Sequence, residues 1–261
     1  MNIITETNDQ RLDIYRLQKD GPLRQEGKII VDSARVVERL LKTPIQLKKL
    51  LASEAFITKN RDLLEWHPAA EINSCSPEIM TSIVGHRIHS GVIAIAERPS
   101  DTPLEQLGSR IIFLNGVNNA ENVGAIIRNG LAFGAPSIIA DGLSCSPFVR
   151  RSIRVSMGAI FKMKSFHCQL ALPCLKELKQ LGYQIFTASL NEFSCDLRSV
   201  EFPKKAVLVI GCEGDGIQAE VEAFADQAIH IPMAGGIDSL NAAVASGIFL
   251  HAMMGSPAET F

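Results

Sequence analysis

Apolar and polar positions change period along the chain, and the changes mark its elements. From Arg110 onward, short apolar runs read as strands at 110–115, 137–140, 162–167, 184–188, 206–210 and 227–231. Between them, apolar residues recur at helical spacing near 122–133, 147–158, 171–181, 217–225 and 239–254. Strands alternating with helices predict an α/β domain: a mostly parallel sheet covered by helices on both faces. Ligands of such sheets bind beyond the carboxyl ends of the strands.

The pattern before residue 98 is different. Lys28–Val31 reads as a short strand, and Ser33 is placed to cap a helix that buries Val36, Val37, Leu40 and Leu41. Ala55–Thr58 reads as a second strand, Pro77–Ile83 as a short helix and Gly91–Ala96 as a strand. These predict a small α/β module over 1–97. Arg98-Pro99-Ser100-Asp101-Thr102-Pro103 is polar, with two prolines, and opens a linker over 98–109. The larger domain then runs from 110 to 261.

Composition narrows the class. Of 261 residues, 46% are apolar, enough for a sizeable core, and the net charge of −2 provides no global basic field. Any polyanion must therefore meet a local patch. Residues 24–49 hold seven basic side chains against three acidic. Residues 142–164 hold Arg150, Arg151, Arg154, Lys162 and Lys164 with no acid. On a helix Arg150, Arg151 and Arg154 share a face, which predicts contacts to the phosphates of a polyanion such as a nucleic acid, a solvated face, or ion pairs with the acidic remainder. No run is apolar enough to span a membrane, and the six scattered cysteines form no C-x-x-C pair. The expectation is a reduced, cytoplasmic protein without metal. His86 and His89 read as surface or core histidines rather than ligands.

Three stretches at strand ends carry candidate chemistry. Leu114–Arg128 leaves a strand and opens a helix, with Asn122 where a cap belongs and Gly124 allowing close approach. Val207–Ile217 runs from a buried strand into a turn where Gly211, Gly214 and Gly216 surround Glu213. Ile231–Asn241 ends a strand at Pro232, turns at Gly235 and Gly236, and offers Asp238 or Ser239 as helix cap. Neither the dinucleotide G-x-G-x-x-G nor the phosphate-loop lysine is present.

Together these stretches resemble the three motifs of the SpoU/TrmH family of RNA 2′-O-ribose methyltransferases, in the SPOUT superfamily. The first motif is matched by Asn122, Gly124, Arg128 and Ala132-Phe133-Gly134-Ala135. The second is matched by Gly211, Glu213, Gly214 and Gly216, and the third by Ile231 to Asn241. Arg154–Gly158 also resembles a family segment. The N-terminal module is similar to the family's ribosomal-protein-like substrate domain, whose usual Glu-Gly after the first strand is Asp32-Ser33 here.

The resemblance implies a trefoil knot in the larger domain and a homodimer packed on helices of the knotted region. It implies S-adenosylmethionine as cofactor, held in the bend of the second and third motifs. Backbone groups of Gly211, Ile231 and Leu240 would then hold adenine and ribose. Thr187, Ala188, Met233 and Glu213 would line the pocket, and Gly214 and Gly235 would leave room for the ligand. The acceptor would be a ribose 2′-hydroxyl of structured RNA, ribosomal in preference to transfer RNA. Arg128 would touch that hydroxyl or its flanking phosphate, and Asn122 would orient the nucleotide or Arg128. Glu213 would fix the second motif or hold Arg128, and Ser239 and Asn241 would position the ribose and brace the loop. The alternatives are an RNA-binding module without activity and a nucleotide-dependent α/β enzyme of another kind.

Overall fold

A computed structural model describes residues 2–16, 21–84, 91–234 and 239–255. Gly235, Gly236 and Asp238 of the third motif, with His86 and His89, lie outside the described residues. The chain forms two compact units, Met1–Pro99 with Phe148–Phe161, and Ser100–Pro147 with Lys162–Phe261.

The first unit is built on five strands: β1 (Asn2–Ile4), β2 (Lys28–Asp32), β3 (Leu47–Ala52), β4 (Glu71–Cys75) and β5 (Val92–Glu97). Their order is β1-β4-β3-β5-β2, with β5 antiparallel to both neighbours. Its helices are α1 (Gly21–Gln25), α2 (Ala34–Leu41), α3 (Glu54–Lys59), α4 (Arg61–Leu64) and α5 (Pro77–Val84). As expected, α2 buries Val36, Val37, Leu40 and Leu41. Ser33, however, makes no side-chain cap and instead holds φ at 76°, a conformation that favours glycine.

One local expectation is corrected, and one strand carries no apolar signature. Residues 55–58 lie within α3 rather than in a strand, because Ser53 Oγ accepts the Phe56 N–H at 3.3 Å and starts a helix. So short an apolar run has no decisive period of its own. Conversely, β3 is a central strand although two lysines interrupt it. A register shift between Leu47 and Lys49 lets Lys48 reach Glu97 at 2.6 Å and Lys49 reach Glu71 at 2.7 Å.

The second unit is a seven-stranded sheet: β6 (Arg110–Asn115), β7 (Ser137–Ala140), β8 (Lys164–His167), β9 (Gln184–Ala188), β10 (Cys195–Asp196), β11 (Ala206–Gly211) and β12 (Gln227–His230). The order is β10-β12-β9-β11-β6-β7-β8, and every pairing is parallel. A parallel sheet is covered on both faces, which is why β6, β7 and β11 are almost continuously buried. Among the described residues, four α-helices serve this unit: α6 (Ala120–Phe133), then α8 (Ala171–Gln180), α9 (Ala219–Phe224) and α10 (Ala242–Met254). Helix α7 (Arg150–Val155) belongs to the first unit. From β6 the chain moves through β7 to β8 on one side, while β9 to β12 lie on the other. The adjacent ends of β6 and β11 are therefore a topological switch point, where a crevice opens.

The segment Phe148–Phe161 had been expected within the larger domain and groups instead with the first unit. Arg150 Nε and Arg154 Nη1 both meet Asp32 Oδ2, at 2.8 and 3.0 Å. Asp32 is 5% exposed, and a carboxylate so buried requires cationic or hydrogen-bonding partners. Arg39 adds a bond to the Met157 carbonyl. Gly158, at φ 75°, packs where an added Cβ would stand 3.3 Å from Val36. Thus two arginines read as contacts for RNA serve as ion-pair donors, another reading that their spacing allowed.

Candidate functional site

Each of the three motifs contributes one side chain to a single cluster. Asn122 Nδ2 donates to Glu213 Oε1 at 2.7 Å. Asn241 Nδ2 donates to Asn122 Oδ1 at 3.1 Å and also to Glu213 Oε1. The ring closes over 91 residues between Asn122 and Glu213 and 119 between Asn122 and Asn241.

Local structure explains why these three point together. Asn119, not Asn122, caps α6 by accepting the Glu121 N–H at 2.8 Å. That shift places Asn122 inside the first turn, buried, with its amide free to turn toward the second motif. At the start of α10 the cap is Asn241 rather than Asp238 or Ser239. Its Oδ1 accepts from Ala243 N at 2.9 Å and Val244 N at 3.3 Å. Capping consumes the oxygen and leaves the Nδ2 hydrogens for the ring. Glu213 rides on a tight turn closed by Cys212 N to Gly216 O at 3.0 Å and the reciprocal bond at 3.2 Å. A Cβ on Gly211 would lie 2.4 Å from the Gly216 backbone, so only glycine permits that turn.

Beside the ring lies a cavity of about 410 Å³. The second motif lines it with Gly211, Glu213 and Gly214, and the third with Ile231, Met233, Ser239 and Leu240. Ala188, at the end of β9, completes the expected wall. Thr187 is the exception: fully buried, it precedes that wall. Leu190, Glu222, His230 and Phe249 also line the cavity and had not been singled out. They stand outside the motifs and are brought in by topology, since β12 inserts between β9 and β10. No signal in their immediate sequence marks them.

Arg128 is exposed on α6. Six residues beyond Asn122, it is rotated by about 120° from that side chain. Asn129 shares the Asn122 face instead. Its Nδ2 donates to the Ala243 carbonyl at 2.8 Å and Ser246 Oγ at 2.9 Å, locking α6 to α10. Beyond this lock the two helices form an apolar groove lined by Ala125, Phe133, Val244, Gly247 and Ile248. Among the described residues, no helix is long and apolar enough to cross a membrane, and no His, Cys, Asp and Glu group is arranged to hold a metal ion.

The chain is 27% identical over 259 residues to an uncharacterised tRNA/rRNA methyltransferase of Mycobacterium tuberculosis, covering 95% of this chain and 90% of that one. It is 31% identical over 180 residues to the 23S rRNA (guanosine-2′-O-)-methyltransferase RlmB of Ralstonia nicotianae, covering 66% of this chain and 72% of that one. The fold matches the AdoMet-bound rRNA methyltransferase of Sinorhizobium meliloti with a TM-score of 0.85 at 22% identity, over 97% of each chain. A family model, that of the SpoU rRNA Methylase family, matches residues 109–251, which include Asn122, Glu213 and Asn241. On that match, over more than half of its length, the chain belongs to the SpoU rRNA methylase family.

Proposed function

We propose that this protein transfers a methyl group from S-adenosylmethionine to the ribose 2′-hydroxyl of one nucleotide in structured RNA, ribosomal in preference to transfer RNA. The observation that carries the reading is the Asn122–Glu213–Asn241 ring beside the 410 Å³ cavity. The name of the Ralstonia relative supports ribose 2′-oxygen of ribosomal RNA as acceptor.

The residues present fit the cofactor. The cavity has the size of a small-molecule site, at the low end of about 300–1,000 Å³. Ile231, Met233, Leu240 and Phe249 give it apolar walls, and the glycine turn exposes backbone groups to it. When bound, the cofactor supplies an activated methyl group on a sulfonium. The protein's part is then alignment and exclusion of water.

The ring acts as a strut. With two amides donating to Glu213 Oε1, that carboxylate holds the three motifs in register rather than abstracting a proton. A guanidinium offers donors and no acceptor, so the role of Arg128 is to hold the flanking phosphate and stabilise the developing alkoxide. Proton loss then goes to phosphate or water. Ser239, on the cavity wall, and Asn241 position the acceptor ribose.

Three features of form belong to this reading: a trefoil knot in the second unit, a substrate-binding role for the first, and a homodimer. The apolar α6–α10 groove supports the dimer, since Phe133, Val244 and Ile248 stay exposed on it. Arg128 leaves the same helix as the groove residues Ala125 and Phe133, which allows it to serve its own site or its partner's. The reading also includes a cytoplasmic location and no membrane or metal partner. Calorimetric titration tests the pocket: S-adenosylmethionine should bind and NAD should not. RNA binding without S-adenosylmethionine binding would favour an inactive RNA-binding module, and NAD binding an enzyme of another kind.

A further inference from the structure

Asp141 follows β7 directly, is 1% exposed, and forms no ion pair among the described residues. Four N–H groups meet it: Asn115 Nδ2 and Ser144 N at 2.8 Å, Gly116 N at 3.1 Å and Leu143 N at 3.2 Å. Burying an unpaired carboxylate is costly, and such a group persists where hydrogen bonds to its charged form offset desolvation. Its position says what the arrangement achieves.

With four N–H groups donating to it, the Asp141 carboxyl acts as an acceptor and fixes which way the Asn115 amide faces. The Nδ2 must point at Asp141, and the Oδ1 then faces the Gln218 N–H, which donates to it at 2.8 Å. The second Nδ2 hydrogen reaches Gln218 Oε1 at 2.7 Å. Asn115 ends β6 just before the first-motif loop, and Gln218 directly precedes α9 just after the second-motif turn. The Asn115–Gln218 pair therefore ties the first motif to the second, as Asn122 and Glu213 also do. We propose that Asp141 is a positioning residue for methyl transfer, acting through the Asn115 amide and its reciprocal pairing with Gln218. This inference rests on the reading of the Asn122–Glu213–Asn241 ring as part of the reacting centre.

Gln218 is exposed, so its substitution does not open the core. Gln218→Ala should lower kcat by about tenfold to a hundredfold, the scale of a misplaced reacting group. S-adenosylmethionine affinity and the melting temperature should not change. Gln218→Glu keeps an acceptor for Asn115 Nδ2 and should restore kcat. Asn115→Asp would set two carboxyls side by side, and such a pair must share a proton. That variant should work on the acid side and lose activity as pH rises more steeply than the unaltered protein. A normal kcat in Gln218→Ala, a loss confined to cofactor affinity or melting temperature, or no rescue by Gln218→Glu would overturn the inference. Absence of methyl transfer by the unaltered protein would instead fail the functional reading, and this inference with it.

Discussion

Glu213 Oε1 accepts the Asn122 side-chain amide at 2.7 Å, across 91 residues of sequence. The carboxylate is thus engaged as an acceptor, by Asn241 as well. Glu213→Gln retains an oxygen that accepts hydrogen bonds and should keep most methyl-transfer activity. Glu213→Ala removes the acceptor and should cost about tenfold or more, since poorly held reacting groups lose rate steeply. Steady-state rates on RNA separate the two. Equal loss in both variants would mean the charge itself takes part in proton transfer.

Arg128 lies on a different face of α6 from Asn122, exposed and able to reach outward. Arg128→Lys keeps the charge and loses the planar fork. It should bind S-adenosylmethionine normally and lose at least about a hundredfold in methyl transfer, the scale of one oxyanion donor. Near-normal turnover would remove Arg128 from the reacting centre.

The two glycines of the second motif should fail differently. Gly214 lines the cavity, and among the described residues no atom beyond its chain neighbours lies within 4 Å of where its Cβ would be. Gly214→Val should leave the melting temperature unchanged and abolish cofactor binding by filling ligand space. Gly211→Ala meets the Gly216 backbone at 2.4 Å and should destabilise the fold itself. Thermal unfolding with and without S-adenosylmethionine distinguishes them, and normal cofactor affinity in Gly214→Val would refute the pocket assignment.

The first unit carries its own test at Asp32-Ser33. Ser33→Gly relieves a backbone angle unfavourable to serine and should stabilise by about 1 kcal/mol. Asp32→Ala leaves Arg150 and Arg154 without their shared carboxylate and should lower the melting temperature. If Asp32 occupies arginines that would otherwise meet phosphates, Asp32→Ala should also steepen the salt dependence of RNA binding. An unchanged slope would place the RNA elsewhere, with the basic stretch 24–49 the next segment to vary.

The sheet of the second unit was legible because a parallel sheet writes each strand as an apolar run with its own boundaries. The runs at 110–115, 137–140 and 184–188 coincide with β6, β7 and β9. The first unit was harder to read. Lysines hid β3, and a serine cap turned residues 55–58 into helix. Of the candidate site, Asn122, Glu213 and Asn241 were singled out because each lies in a short motif that resembles one of the family's. Asp141 and Gln218 were not found, since a buried carboxylate after a strand resembles any turn residue until Asn115 is seen beside it. The return of 148–161 to the first unit was likewise invisible, because an ion pair between Asp32 and Arg150 spans 118 residues with no mark in sequence.

The central claim is the acceptor atom. Incubation of the protein with methyl-labelled S-adenosylmethionine and unmodified ribosomal RNA, followed by nuclease digestion and mass spectrometry of nucleosides, measures it directly. The account predicts label on a single nucleoside as its 2′-O-methyl form, with transfer RNA labelled less. Label on a base, or no label although S-adenosylmethionine binds, would contradict it.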